Sequence, residues 1–291
     1  MTTARRAYPS DLSDARWALL EPELEAWRAA RAESGLGING PVHELREIVN
    51  AIVYLDRTGI AWAYLPHDFP PPSTVYGYYA EWQQDGTTER LHELLRRRVR
   101  TDAGRCPEPT AALADAQSVK TSGNVPEASQ GIDAGKLIKG RKRHIVTDTL
   151  GLLLVVMVTA ASIQDTTGGR ELIEMVAGQH PSVTKVWVDS GYKKSVIQAG
   201  AARGVEVEVV SKQPGQKGFK PLPKRWAVER TFGWLMLHRR LVRDYETRPD
   251  RSVSMIHWAM IDNMSRRVTG EVTRTWRTDA PPAWDEPGLA A

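Results

Sequence analysis

The chain reads as a mixed α/β protein in which a helical block precedes a block of alternating strands and helices. Two observations predict this. Up to about residue 104, apolar residues recur at helical spacing, as in Leu45, Ile48, Val49, Ile52, Val53 and Leu55. From about residue 110 they gather instead in short runs bounded by turn-forming residues, such as Leu152 to Val158 and Val186 to Val188. With 291 residues, 41% hydrophobic and 25% charged, the chain is globular rather than disordered and long enough for one large domain or two smaller ones.

In the first block, Ser13-Asp14 caps a helix through Trp17, Leu19, Leu20 and Leu24, and Gly35 to Pro41 breaks the pattern. The second helix runs to Thr58-Gly59. Pro70-Pro71-Pro72 forms a turn, Ser73 caps a helix over Val75 to Trp82, and another covers Glu89 to Arg100. Short helices with tight turns suit a helix-turn-helix unit.

In the second block, Leu113 to Asp115 is a first strand followed by a polar loop, and Arg143 to Thr149 pairs with Leu152 to Thr159 across Leu150-Gly151. Asp165-Thr166 opens a helix through Val176. Lys185 to Val188 is a buried strand, Ser195 to Ala202 a helix and Val205 to Val210 a strand. A basic loop over 211–225 leads into a long helix from Trp226 to about Asp244. The order strand-strand-strand-helix-strand-helix-strand-helix is that of an RNase H-like fold. Expected boundaries are a helical region over 1–104, a strand-containing domain over 105–270, and a tail over 271–291 with Pro281, Pro282 and Pro287.

Three carboxylates stand out. Asp115 and Asp189 read as the ends of buried strands, and Glu229 lies on a mostly apolar helix turn between Trp226 and Phe232. A carboxylate beside a core strand is costly unless a positive charge compensates it, and two Mg²⁺ ions, with Mn²⁺ able to substitute, are a natural compensation. Glu229 has a competing partner in Arg225 on the same face. Asp148 reads as a hairpin turn residue, and Asp165 as a helix start favoured by the dipole. The basic residues cluster: Lys136, Lys139, Arg141, Lys142 and Arg143; Lys212, Lys217, Lys220, Lys224 and Arg225; Arg230, Arg239, Arg240 and Arg243. Net charge is +4 and the pI about 9.2, which suits a polyanionic partner. Tyr192 and Trp234 are candidates to stack on an unpaired base.

The seven histidines have no metal-binding spacing, and a lone Cys106 excludes a disulfide framework or thiolate cluster. Gly168-Gly169 lacks the flanks of a nucleotide-binding fingerprint. No secretory signal is visible, and the longest apolar run is too short for a bilayer, so a cytoplasmic protein is expected.

These segments resemble the DDE transposases of bacterial insertion sequences, specifically the insertion-sequence-five group. Tyr8-Pro9-Ser10-Asp11-Leu12 with Trp17, Arg57-Thr58-Gly59 with Trp62, and Leu65 to Pro70 are similar to its amino-terminal pattern. Asp115 to Thr121, Gly140 to His144, Val186 to Tyr192 and Trp226 to Leu241 resemble its catalytic blocks and basic strand, in order, over roughly 8–268. Ala63 stands where many relatives carry a basic residue.

The resemblance implies an RNase H-like catalytic domain preceded by a DNA-binding region. Asp115, Asp189 and Glu229 would then be the metal ligands, and Lys139, Arg141, Lys142, Arg143, Tyr192, Lys224, Arg225, Arg230, Arg239 and Arg240 the DNA contacts. It further implies double-stranded DNA as partner, recognition of terminal inverted repeats, synapsis by a homodimer or higher oligomer, and a place with the bacterial nucleoid. The expected reaction is hydrolysis at the element ends followed by transfer of the freed 3′-hydroxyl to target DNA. A nuclease of the same fold, or a DNA-binding regulator descended from a transposase, are the alternatives.

Overall fold

The computed structural model describes residues 5–35, 43–192, 194–210 and 226–272. Among the described residues, four α-helices come first: α1 (Asp14–Glu33), α2 (Leu45–Thr58), α3 (Pro72–Gln84) and α4 (Thr87–Asp102). The Ser13 side chain accepts the Arg16 N–H at the start of α1, and Gly59, at φ 77°, ends α2 in the left-handed conformation. Helix α3 begins at Pro72, one of the prolines expected to turn, because a proline at the first helical position gives up no bond.

Six strands and five α-helices follow among the described residues: β1 (Ala111–Lys120), β2 (Gly131–Asp133), β3 (Ile138–Asp148), β4 (Leu153–Ala160), α5 (Asp165–Gln179), β5 (Lys185–Val188), α6 (Lys194–Ala202), β6 (Glu206–Val209), α7 (Trp226–Leu235), α8 (Arg239–Val242) and α9 (Pro249–Thr269). In the sheet, β3 lies antiparallel between β4 and β1, and β1, β5 and β6 are parallel. The short β2 pairs with the first residues of β3.

Three elements differ from expectation. Strand β1 does not end at Asp115 but runs on to Lys120, because β3 pairs with it from Asp148 to Gly140. Asp115 is therefore a mid-strand residue. The long helix expected from Trp226 breaks after Leu235. There the end of α2 intervenes: Arg57 Nη1 donates to the Leu237 carbonyl at 3.0 Å, and the His238 Nδ1 lies 2.6 Å from Asp56. The third is α9, to which the sequence pattern assigned no element. Its Ser252, Ser254, His257, Asp262, Asn263 and Ser265 are buried along with Met255, Ile256 and Trp258. A helix buried on all sides shows no polar stripe to reveal its period.

Helices cover both faces of the sheet. Leu172, Ile173 and Val176 of α5 and Val196 of α6 pack with Ala112, Ala114, Val146 and Val186 on one side. On the other, Leu113 and Ile145 join α7, α9 and the four amino-terminal helices in a single apolar cluster. The amino-terminal helices and the sheet thus share one core, with α9 in its middle. The buried Arg16–Asp262 pair, at 2.5 Å, ties α1 to α9.

Candidate functional site

The parallel pairing of β1 and β5 joins Ala111 to Lys185, Ala112 to Val186 and Leu113 to Trp187. Continuing this register by two residues sets Asp115 level with Asp189, which directly follows β5. Alternation puts Asp115 on the Leu113 face, the side covered by α7. Both carboxylates are half-buried. Asp115 Oδ1 accepts the Ala116 N–H at 2.7 Å, and Asp189 Oδ1 accepts the Gly191 N–H at 2.8 Å. A side chain at Gly191 would meet the Asp189 carboxylate at 3.0 Å and Asp165 Oδ2 at 3.7 Å, so these two acids border the same small space.

Tyr192 marks where the acids converge. Its ring is 3% exposed, and its hydroxyl is buried with no hydrogen-bond partner among the described residues. Burial pushes the phenol well above its ordinary range, and the charges of Asp115, Asp165 and Asp189 push it further. Asp165 is the first residue of α5, as expected, and also stands at this cluster, which sequence position did not reveal.

Lys142 holds the flank of the cluster. Its ammonium donates to Asp165 Oδ1 and to the Ile163 carbonyl, both at 2.9 Å, and lies 3.5 Å from Asp133. Burial opposes ionisation of Asp133. The Ser118 hydroxyl, the Lys136 N–H, the Lys142 charge and the Gly135 N–H outweigh it and hold the carboxyl at about 2. The paired glycines have a packing role here. A Cβ on Gly168 would lie 2.3 Å from the His144 ring, and one on Gly169 2.5 Å from the Tyr192 ring. Only glycine lets α5 lie this close to the cluster.

Glu229 is half-buried in the first turn of α7, which packs over β1 and β3. The helix is fixed there by Arg230, donating to the Leu150 carbonyl at 2.8 Å, and by the Thr231 hydroxyl on the Gly151 carbonyl at 2.6 Å. Trp226, on the mostly apolar helix turn read around Glu229, is 47% exposed. The competing partner Arg225 lies outside the described residues, as does Lys224.

The basic strand is corrected by the structure. Arg141 and Arg143 are fully buried and Lys142 is 4% exposed, so β3 does not offer them to a phosphate. The reason is topological: from Arg141 to Asp148, β3 is an interior strand with helices on both faces, so alternation sends those side chains inward and leaves Lys139 exposed near its start. Arg141 donates to the carbonyls of Glu246, Thr247 and Ser129, and Arg143 to that of Leu241. Burial lowers the Arg143 guanidinium to about 10 against the opposing pull of Asp244 and Asp56. Arg240, bonded to Glu246 at 2.9 Å and to the Ile60 carbonyl at 2.6 Å, is also internal. Tyr192 is too buried to stack on a base. Lys139 and Arg239 are exposed, Lys139 being paired with Glu127 at 2.8 Å, and Arg230 is half-buried. Asp148 is a turn residue, accepting the N–H groups of Leu150 and Leu152, and it also pairs with buried Arg100.

A second acidic group lies elsewhere. Glu93, Glu108 and His180 bring ligand-type atoms within 4.8 Å of one another. Arg96 and Arg97 already bind both carboxylates, so this group carries its own cations.

Comparison with known proteins decides the family. The family model described as "Transposase DDE domain" matches residues 107–264, more than half of the chain. The chain belongs to the DDE transposases. The family model described as "Putative transposase of IS4/5 family" matches residues 12–92, which places the chain in an IS4/5-type family. Such membership implies an RNase H-like fold for the sheet region. A relative described as "Putative transposase for insertion sequence element IS402", from Burkholderia cepacia, is 36% identical over 121 residues. That match covers 38% of this chain and 56% of the relative, so the chain spans little more than half of that relative's length. No solved structure matches. Among the described residues of this DDE transposase, no helix is long and apolar enough to cross a membrane.

Proposed function

We propose that this DDE transposase binds the terminal inverted repeats of an insertion sequence, cuts the phosphodiester at each end and joins the freed 3′-hydroxyl to target DNA. The observation that carries this reading is the β1–β5 register, which sets Asp115 level with Asp189 on the face beneath the Glu229 helix. Three carboxylates form an oxygen-only donor set, which suits Mg²⁺, with Mn²⁺ able to substitute. Two such ions held by Asp115, Asp189 and Glu229 would supply Lewis acidity and charge neutralisation for an in-line displacement at phosphorus.

The chain's own residues supply the geometry. Asp115 is held by an interior strand, Asp189 by its bond to the Gly191 N–H, and Glu229 by the anchoring of α7 on the β3–β4 turn. Tyr192, backed by Gly169, excludes water from behind the carboxylates. Lys142 fixes Asp165 to one side.

For DNA contact, exposed Lys139 and Arg239, half-buried Arg230, and Lys224 and Arg225 outside the described residues remain the proposed set. The helical region over 1–104 would read the repeats, the domain over 105–270 would carry the chemistry, and two or more protomers would bring the ends together.

The test is incubation of the protein with Mg²⁺ and DNA carrying the element's ends, mapping cut and joined products. Cleavage with joining is expected. Cleavage without joined product would replace the proposal by a nuclease, and end binding without cleavage by a regulator.

A further inference from the structure

Lys142 places a cation in the interior, beside the acid cluster. It is buried on β3 and is not offered to a DNA phosphate. A buried ammonium is costly to desolvate and persists only where acceptors meet its charge. Its Nζ donates to Asp165 Oδ1 and to the Ile163 carbonyl, both at 2.9 Å, and lies 3.5 Å from Asp133 Oδ2. Three oxygens thus match its three N–H groups.

The seat for this cation is fixed by the fold. Asp133 accepts the Ser118 hydroxyl at 2.5 Å and the N–H groups of Gly135 and Lys136 at 3.0 and 3.1 Å. Ser118 pairs with Lys142 in the β1–β3 register, on the same strand as Asp115. The ammonium therefore reaches the cluster from a neighbouring strand that carries none of the proposed metal ligands.

The acid it holds is a rival to those ligands. Asp165 is a carboxylate like Asp115 and Asp189, and its side chain is 34% exposed. All three charges act on the Tyr192 hydroxyl. A side chain at Gly191 would meet Asp189 Oδ1 at 3.0 Å and Asp165 Oδ2 at 3.7 Å, so Asp165 gives one oxygen to Lys142 and turns the other toward Asp189. The Thr166 hydroxyl, donating to the Gly191 carbonyl at 3.3 Å, ties the start of α5 to the same loop. Hard divalent cations accept any well-placed carboxylate oxygen, so a released Asp165 would compete for them. A charge-assisted bond to Lys142 removes one of its oxygens from that competition and offsets its charge.

We propose that Lys142 is a positioning residue that keeps Asp165 paired and so leaves the metal ions to Asp115, Asp189 and Glu229. The inference rests on the function proposed above and assigns to a buried lysine the choice among neighbouring acids.

The test measures Mn²⁺ binding to the full chain without DNA, by electron paramagnetic resonance, beside single-turnover cleavage of end DNA. Lys142→Met frees Asp165, so it should tighten Mn²⁺ binding about tenfold while slowing cleavage by about tenfold or more. Adding Asp165→Asn to that variant removes the rival and restores the local charge balance. The pair should return Mn²⁺ affinity to the parent's and recover cleavage to within about tenfold of it. A structural role alone would not make removal of a second side chain undo both effects. Mn²⁺ affinity no tighter in Lys142→Met, or a cleavage loss that Asp165→Asn does not relieve, would overturn the proposal. If a metal-free melt shows Lys142→Met unfolded, the double variant decides, because it replaces an ion pair by two neutral groups. Parental Mn²⁺ affinity there supports the assignment, and an affinity weaker by about tenfold or more would make Asp165 a ligand and overturn it. Undiminished Mn²⁺ binding in both Asp115→Asn and Asp189→Asn is a separate failure: it would sink the metal-site reading itself, and this inference with it.

Discussion

Strands β1 and β3 lie side by side in the sheet, and both carry charge into its middle, yet they dispose of it in opposite ways. On β3, Arg141 and Arg143 are fully buried, and main-chain carbonyls and the carboxylate of Asp244 meet their charge from within. On β1, Asp115 stays half-buried, and it shares the surroundings of the Tyr192 hydroxyl with Asp165 and Asp189. One arrangement is closed. The other gathers three carboxylates around one buried hydroxyl at a half-buried site, with the Lys142 ammonium on its Asp165 side. The density of charge in a sequence therefore says little about use; where the charge is neutralised says more.

The largest test of this contrast is Asp244→Ala. It leaves two buried guanidinium groups short of a counter-charge, so a loss of about 3–5 kcal/mol is expected, or on the order of 10 °C in a thermal melt. A change within about 1 kcal/mol would mean that β3 tolerates its charge without internal pairing.

Acid should act on the closed side of the comparison next. Burial lowers His144 on β3, and His257 on α9, to about 4 each, against an unfolded value near 6.5. The unfolded chain then binds more protons between those values, so stability is full above about pH 6.5 and falls as pH drops toward 4. In metal-free protein each should lose about 2 kcal/mol between pH 7 and 5 in urea unfolding. His144→Gln should remove its share of that slope. A flat profile over this range would show that both rings protonate freely in the fold.

The smallest effect belongs to the open side. Asp115→Asn removes one of the converging charges, so without divalent metal it should leave stability unchanged or raise it by up to about 1 kcal/mol. A loss comparable to that of Asp244→Ala would mean that Asp115 is a structural partner rather than part of a poised site.

Much of this was legible in the chain. The apolar run Val186 to Val188 fixed the place of Asp189 at a strand's end, and Ser13, Gly59 and Asp165 marked helix ends through local chemistry that does not depend on tertiary context. What escaped needed long-range information. Whether Arg141 faces solvent depends on β4 and α9 covering β3, and the sequence around residue 141 contains neither. Helix α9 hid because its polar residues are as buried as its apolar ones. The meeting of Asp165 with Asp189, and the need for Gly168 and Gly169, follow from α5 docking on the sheet rather than from spacing.

The central claim is that Asp115, Asp189 and Glu229, and not every acid near them, carry the chemistry. Single-turnover cleavage of end DNA by Asp115→Asn, Asp189→Asn, Glu229→Gln and Asp165→Asn tests it most directly. The first three should fall by at least about 10³-fold with end binding retained, while Asp165→Asn should stay within about tenfold of the parent. An Asp165→Asn loss equal to that of Asp115→Asn, with Glu229→Gln still active, would contradict the assignment.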